Sequence, residues 1–492
     1  MAPPASRRPP SSLLTSAQPF LAGLIQYAQA GVVRFHTPGH RGGRWIEDAL
    51  GAALGASSLS LDVSDVLEGG KDGPADWTAA LVAAQERTAA LFGAAGSRYL
   101  VNGTSGGIHA ALLGLAAGGD ILCRRASHLS VYAACVLSRG RVHTVPPDYD
   151  GEWDIPGPAP VEAVLAAARA ARPRLYVETY PNYYGIAPNL KAIAAGLGES
   201  LIVADEAHGS HFRFCPQAPA PALAHGAHVT VQSFHKTLGA LTQASALHVH
   251  PRHPELLAQI DRALLLLQTT SPSPLLLSSL EAATQQARNT AAEDWAYAAA
   301  LAEHLREEVV RRVGCRVLSA QWVRQRWNAE LDPARVVINV ADLGWQGTAA
   351  AQWLRARGRI QVEMANERCL VLLVSPGNTE EEARRMVAAL EAMKELRPGA
   401  QPLEPSAAPP QPAQAMPLWE AALAPCTWVP LEQSAGRIAA EFICPYPPGI
   451  PVLLPGEEVD EQVIEYLRRA QGDGKEVRGA RFRDLSRIGV VA

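Results

Sequence analysis

The chain has 492 residues, 48% of them hydrophobic and 19% charged, a balance that excludes a disordered polymer and accommodates one large domain with smaller ones. Its 44 basic residues are outnumbered by 48 acidic ones, for a formal charge of -4, and no basic run occurs, which argues against a nucleic-acid partner. Seven scattered cysteines (Cys123, Cys135, Cys215, Cys315, Cys369, Cys426 and Cys444) lack metal-ligand spacing and read as reduced thiols; with no signal-like opening and no run long enough for a membrane span, no metal or membrane is expected and the expected compartment is the cytoplasm.

In chain order, residues 1–75 form an N-terminal segment whose first dozen, rich in Pro, Ser and Arg, are expected to be disordered because they offer little apolar surface against the entropy of ordering. Residues 76–290 carry the rhythm of an α/β domain. Short apolar runs at Tyr99–Val101, Ile121–Cys123, Val142–Val145, Leu175–Val177, Leu201–Ala204 and His228–Gln232 predict buried strands, and Ala-rich stretches such as Val161–Ala171 predict intervening helices. That alternation predicts a mainly parallel sheet with its ligand site at the C-terminal strand ends. Residues 291–396 predict a smaller α+β domain: a helix over Ala291–Val313, strands at Val336–Val340 and Cys369–Val374, and a helix over Thr379–Leu396. A Pro-rich stretch, 397–416, reads as a linker to a last domain over 417–492.

The chemistry concentrates after the predicted strands. Asp205, in Asp205-Glu206-Ala207-His208, and Lys236, in Ser233-Phe234-His235-Lys236-Thr237, are separated by enough chain for one helix and one strand, so both can project into one crevice. A cofactor that acts as an electron sink needs these two groups: an amine to hold it as an imine and a carboxylate to keep its pyridine nitrogen protonated. A lysine stem beside a desolvated crevice also has a lowered pKa. The run Asn102-Gly103-Thr104-Ser105-Gly106-Gly107, between a strand and an apolar helix, offers hydroxyls and free N–H groups to a phosphate. It is neither a dinucleotide fingerprint nor a Walker loop. His128 follows another strand, where an imidazole can stack on a planar ring. Asp205, His208 and His211 do not have the spacing of a zinc motif.

Read together, these motifs resemble the bacterial Orn/Lys/Arg decarboxylases. The resemblance runs from Phe35-His36-Thr37-Pro38-Gly39-His40 through the Asn102–Gly107 loop, Tyr180–Gly185, Asp205–Phe212, Gln232–Ser245 and Thr269–Leu277 to Pro445–Glu457. It implies a pyridoxal-phosphate-dependent, aspartate-aminotransferase-like fold (fold type I), with 76–290 as the cofactor-binding large domain and 417–492 as the C-terminal decarboxylase domain. It implies Lys236 as the attachment lysine, Asp205 as the pyridinium partner and His128 as the stacking residue. Thr104, Ser105, Gly106, Ser233 and His235 then surround the phosphate, Ala207 packs on the ring and His208 lines the site. Thr270 and Ser271 would reach the cofactor of a partner subunit, in a homodimer or larger assembly with shared active sites. Short members lack an N-terminal wing domain, and so is this chain expected to.

The implied reaction is decarboxylation of a basic amino acid, with arginine to agmatine for polyamine synthesis preferred over lysine or ornithine. Lys236 or His235 would return a proton to Cα, and Glu441, Asp65 or Glu68 would grip the distal cation. The chain departs from the family pattern at Arg41 and Leu129, where lysine is usual, and over Glu68–Pro74, where an acidic segment is usual. The competing readings are an aminotransferase, for which no small-domain arginine stands out, and an inactive regulatory homologue, which retention of both Asp205 and Lys236 opposes.

Overall fold

The computed structural model describes residues 18–63, 77–397, 399–446, 449–472 and 476–492. The first seventeen residues and Ser64–Asp76, which include Asp65 and Glu68, lie outside the described residues.

Seven strands form the central sheet: β1 (Gly96–Leu100), β2 (Asp120–Arg124), β3 (Arg141–Val145), β4 (Leu175–Thr179), β5 (Leu201–Asp205), β6 (Val229–Gln232) and β7 (Ser245–Val249), in the order β1-β7-β6-β5-β4-β2-β3. Six run in one direction. Only β7, antiparallel to both β1 and β6, is reversed. Such a sheet is buried on both faces, which is why its strands read as short continuous apolar runs rather than alternating ones. On one face, Leu100, Ile121, Val177, Val203 and Leu247 share a core with Ile108 and Leu112 of α1 (Gly103–Leu115), with Val131 and Tyr132 of α2 (Leu129–Ser138), and with Ile260. On the other, Tyr176, Ile202 and Ala204 pack with Val164 and Ile193.

The sheet's parallel sense puts the C-terminal ends of β1, β2, β4, β5 and β6 on one edge, and the motif-bearing loops start there. Gly107 fixes the nearest helix. A Cβ there would collide with Leu100 and Val231, so only glycine lets α1 press onto the sheet with its N-terminus at that edge.

The helix expected from Ala291 starts earlier, at Pro274, and runs unbroken to Glu308 before a π-turn over Val309–Val313. Proline suits the first helical turn, where its missing N–H costs nothing. The division drawn at residue 290 therefore passes through a continuous helix. Beyond it, β8 (Arg335–Asn339), β9 (Met364–Ala365) and β10 (Cys369–Leu373) form an antiparallel sheet in the order β8-β10-β9. The helix Glu380–Glu395 begins with a capping box between Thr379 and Glu382.

The Pro-rich stretch after Leu396 is extended but tied down: Arg368 donates to the carbonyls of Leu403 and Glu404, and Gln414 bridges to Glu457. The C-terminal part pairs Cys426–Pro430 with Arg487–Val491, and Cys444–Tyr446 with Glu476–Arg478. It is clamped to the large domain by Arg125. This buried guanidinium donates to the carbonyls of Pro451 (2.6 Å) and Val452 (2.9 Å) and to Glu457 (3.1 Å). All seven cysteines are unpaired, and no described helix is long and apolar enough to cross a membrane.

Candidate active site

A cavity of about 340 Å³ opens at the C-terminal edge of the sheet, a size that suits a small cofactor with a substrate. Thr104, Ser105, His128, Asp205, Ala207, His208, Ser233, His235 and Lys236 all line it. Segments up to 132 positions apart are joined by the sheet alone. Gly106 sits one turn into α1 against Asn102, behind the lining. Thr270 and Ser271 are not brought here: both are exposed, in the connection before Pro274.

At one end of the cavity, Thr104 Oγ1 lies 2.7 Å from Ser233 Oγ and 3.5 Å from Ser245 Oγ. Gly103 is in the left-handed region (φ +67°) and turns the chain into α1, whose first N–H groups have no intrahelical acceptor. Hydroxyls converging on a helix N-terminus are a donor set for a phosphate. His235 lies alongside with its Nδ1 3.0 Å from the Ala244 carbonyl, and burial lowers its pKa.

Asp205 closes β5, in register between Thr179 and Val231, and accepts from the Ala207 N–H at 3.3 Å. Behind it Glu206 is wholly buried, accepting from Gln232 Nε2 (2.8 Å) and the Ala222 N–H (2.9 Å); burial pushes its carboxyl up to about 8. His128 caps α2: Nδ1 accepts from the Ser130 N–H at 3.1 Å and lies 2.9 Å from its hydroxyl, which fixes the ring plane. Burial lowers its pKa, against the opposing pull of Asp205. The C-terminal domain closes this side. Ile450 lines the cavity, and a Cβ on Gly449 would lie 3.8 Å from His128 Cδ2.

Lys236 Nζ lies 2.9 Å from Nε2 of His208 and 5.6 Å from the centre of the Tyr183 ring. Burial lowers its pKa, while Asp205 and Glu363 pull it up and Arg335 pushes it further down. His208 is fully buried and tilted against Tyr183, with its pKa well below the usual value through burial and the Lys236 and Arg335 charges. His211 faces away from the cavity: Nε2 meets Asp332 at 3.0 Å and the ring stacks on Trp295. Among the described residues, no group of three or more His, Cys, Asp or Glu side chains is arranged to hold a metal ion.

Two residues here carry no sequence motif. Arg335 opens β8 and, fully buried, meets His208 Nδ1. Glu363, just before β9, is an exposed carboxylate on the wall of a second cavity of about 510 Å³, which shares Ala126, Pro156, Tyr184 and Ile450 with the first. Glu441 is engaged within its own domain, accepting from Trp428 Nε1, the Arg481 N–H and the Gly489 N–H. It is not available to a ligand in the cavity.

The residues fit pyridoxal phosphate on the donor set alone: an amine, a carboxylate, a planar imidazole and a hydroxyl-lined helix N-terminus share one cavity.

Comparison with known proteins identifies the family. Residues 18–382 match the family model for the Orn/Lys/Arg decarboxylase major domain, and residues 407–480 that for the Orn/Lys/Arg decarboxylase C-terminal domain. The chain is 33% identical over 475 residues to an arginine decarboxylase of Halalkalibacterium halodurans, covering 94% of this chain and 95% of that one. It is 31% identical to an arginine decarboxylase of Bacillus subtilis, covering 96% and 97%. Among solved structures, the lysine decarboxylase of Francisella novicida superposes with a TM-score of 0.79 at 21% identity, covering 96% of this chain and 81% of that one.

Proposed function

The chain belongs to the Orn/Lys/Arg decarboxylase family, and from that premise we propose that it converts arginine to agmatine and CO2 with pyridoxal phosphate held on Lys236. The observation that carries the reading is the meeting of Lys236, Asp205 and the Thr104–Ser233 hydroxyls in one cavity. Arginine is favoured over lysine or ornithine because the relatives at 33% and 31% identity, matched over nearly their whole length, are named arginine decarboxylases.

When bound, pyridoxal phosphate supplies a sink for the electron pair left at Cα when the bond to the carboxyl group breaks. The chain's own residues do the rest. Lys236 presents an amine whose lowered pKa keeps a share of it unprotonated and nucleophilic. The Asp205 carboxylate would keep the pyridine nitrogen protonated. Thr104, Ser105 and Ser233 with the α1 N-terminus would hold the phosphate, and His128 and Ala207 would hold the ring. With the cavity filled, its walls and Ile450 would exclude water, which strengthens each charge interaction inside. The proton that replaces the carboxyl group at Cα would come from Lys236 Nζ after that amine has taken up the proton given off by the substrate's ammonium group, since His235 is held at Nδ1 by the Ala244 carbonyl. Glu363, on the wall of the adjoining second cavity and near enough to act on the Lys236 charge, would take the guanidinium.

A second copy of the chain belongs to this reading. Leu265 (82% exposed) and Leu266 (78%) leave apolar surface bare a few residues before exposed Thr270 and Ser271, and Phe35 (89%) and Trp45 (80%) are bare as well; such surface marks an interface.

The test is spectroscopic and chemical. Pyridoxal phosphate added to the protein should give a visible absorption band that Lys236→Ala abolishes, and the loaded protein should release CO2 from arginine. A band without CO2, and with amino transfer to a keto acid instead, would favour the aminotransferase reading.

A further inference from the structure

His208 is bracketed by two nitrogen groups. On one side its Nε2 lies 2.9 Å from Lys236 Nζ; on the other its Nδ1 meets Nη2 of Arg335 in a short contact. Arg335 is fully buried at the start of β8, packed against Gly185, where a Cβ would lie 2.5 Å from its Cγ. Its Nε and Nη1 have no hydrogen-bond partner, so contact with His208 is its one described side-chain hydrogen bond. The charge is balanced nearby by buried Asp332, which accepts from the Ala334 N–H and pairs with His211. Arg335 does not line the cavity. It acts on the site only through His208.

A guanidinium has donors and no acceptor, and it does not deprotonate in a protein. The atom it meets must therefore be an acceptor, which places a lone pair on His208 Nδ1 and the ring proton on Nε2. That N–H points at Lys236 Nζ, whose side of the contact must then be a lone pair. We propose that Arg335 is a positioning residue that locks His208 as the neutral Nε2–H tautomer, so that His208 donates to Lys236 Nζ and holds that amine in its unprotonated, nucleophilic form. A histidine with a free choice of tautomer, or a protonated one, would not do this.

Every charged or titratable group around the amine bears on this assignment. Asp205 and Glu363 favour the ammonium form and Arg335 opposes it, while His208, His128 and His235, whose own pKa values are lowered, and the Tyr183 ring stand around the amine. Burial at the same place lowers the Lys236 pKa, in the same direction as the donor argument.

The inference rests on the reading of Lys236 as the attachment lysine, and its test separates the two. Full-length protein labelled with 15N-histidine gives the His208 nitrogen signals directly, assigned by difference against His208→Gln. A pyridine-type Nδ1 with a pyrrole-type Nε2 is expected in the wild type before cofactor is added. A proton on Nδ1, or on both nitrogens, overturns the inference, and this readout needs no variant of Arg335 to fold. In Arg335→Met the two tautomers should mix, and acetylation of Lys236 near neutral pH, followed by mass spectrometry, should slow about tenfold, the equivalent of one pKa unit. Arg335→Lys, which keeps a donor, should restore both. An Arg335→Met protein that is folded by circular dichroism and unchanged in tautomer and acetylation contradicts the assignment even if its activity falls. A correct tautomer with no Lys236-dependent band on adding pyridoxal phosphate overturns the functional reading; the band with the wrong tautomer overturns the inference alone.

Discussion

The hydroxyls of Thr104 and Ser233 lie 2.7 Å apart, although 129 residues separate them in the chain. Two buried hydroxyls this close, at a helix N-terminus, share one anionic partner when a phosphate is bound. A hydrogen bond to a charged group is worth about 1.5–3 kcal/mol. Thr104→Ala and Ser233→Ala should therefore each weaken pyridoxal phosphate binding by roughly ten- to a hundredfold, measured by titrating the absorption band. Unchanged affinity in both would place the phosphate elsewhere.

Under the proposed function, Glu363 would supply the charge that recognises the distal end of the substrate. Glu363→Gln should lower kcat/KM for arginine by about ten- to a hundredfold, mostly through KM, because the lost contact is present in both ground and transition states. The variant's preference for arginine over citrulline, its neutral analogue, should shrink in parallel. Steady-state kinetics with the two substrates decides it.

The Arg125 clamp holds the C-terminal domain over the cavity, and its buried pair with Glu457 is costly to break from one side. Arg125→Met should destabilise the protein by about 3–5 kcal/mol and loosen cofactor retention, since Ile450 closes the site. Denaturant unfolding and the rate of cofactor loss on dilution measure the two effects.

Buried Glu206 makes stability depend on pH in an uncommon direction. Burial raises its folded-state pKa to about 8, above the unfolded value, so the folded chain binds the extra proton. Its contribution is fully present below the unfolded pKa and is lost as pH rises toward about 8. Glu457, pushed up to about 7 by burial, acts with the same sign. Glu206→Gln should therefore flatten, without abolishing, the fall in Tm between mildly acid and mildly alkaline pH. The difference should amount to a few kcal/mol on the order of the linkage limit. A slope identical to wild type at equal protein concentration would show that Glu206 does not titrate in this range.

Much of the site was legible because parallel strands impose it. Six buried runs were readable from their apolar residues, and the residues after them had to meet at one edge of the sheet, which brought Asp205, Lys236, His128 and Thr104 together. Strand β7 was missed because Ser245–Val249 follows the Lys236 motif without a turn signal and contains His248, whose Nδ1 bonds to Ser97 inside the sheet. Arg335 and Glu363 left no local trace. Each joins the site through the packing of the small domain on the large one, and neither belongs to a motif of spacing or periodicity. Glu441, a sequence candidate for the distal cation, is engaged by three donors of its own domain, contacts that sequence does not reveal.

The most direct measurement supplies the pyridoxal-phosphate-loaded protein separately with carboxyl-labelled arginine, lysine and ornithine, and follows labelled CO2 together with the amine product, using Lys236→Ala as control. CO2 and agmatine from arginine, at a kcat/KM well above those for lysine and ornithine and abolished in Lys236→Ala, are expected. Absence of CO2 from all three substrates, in protein that shows the Lys236-dependent absorption band, would contradict the assignment.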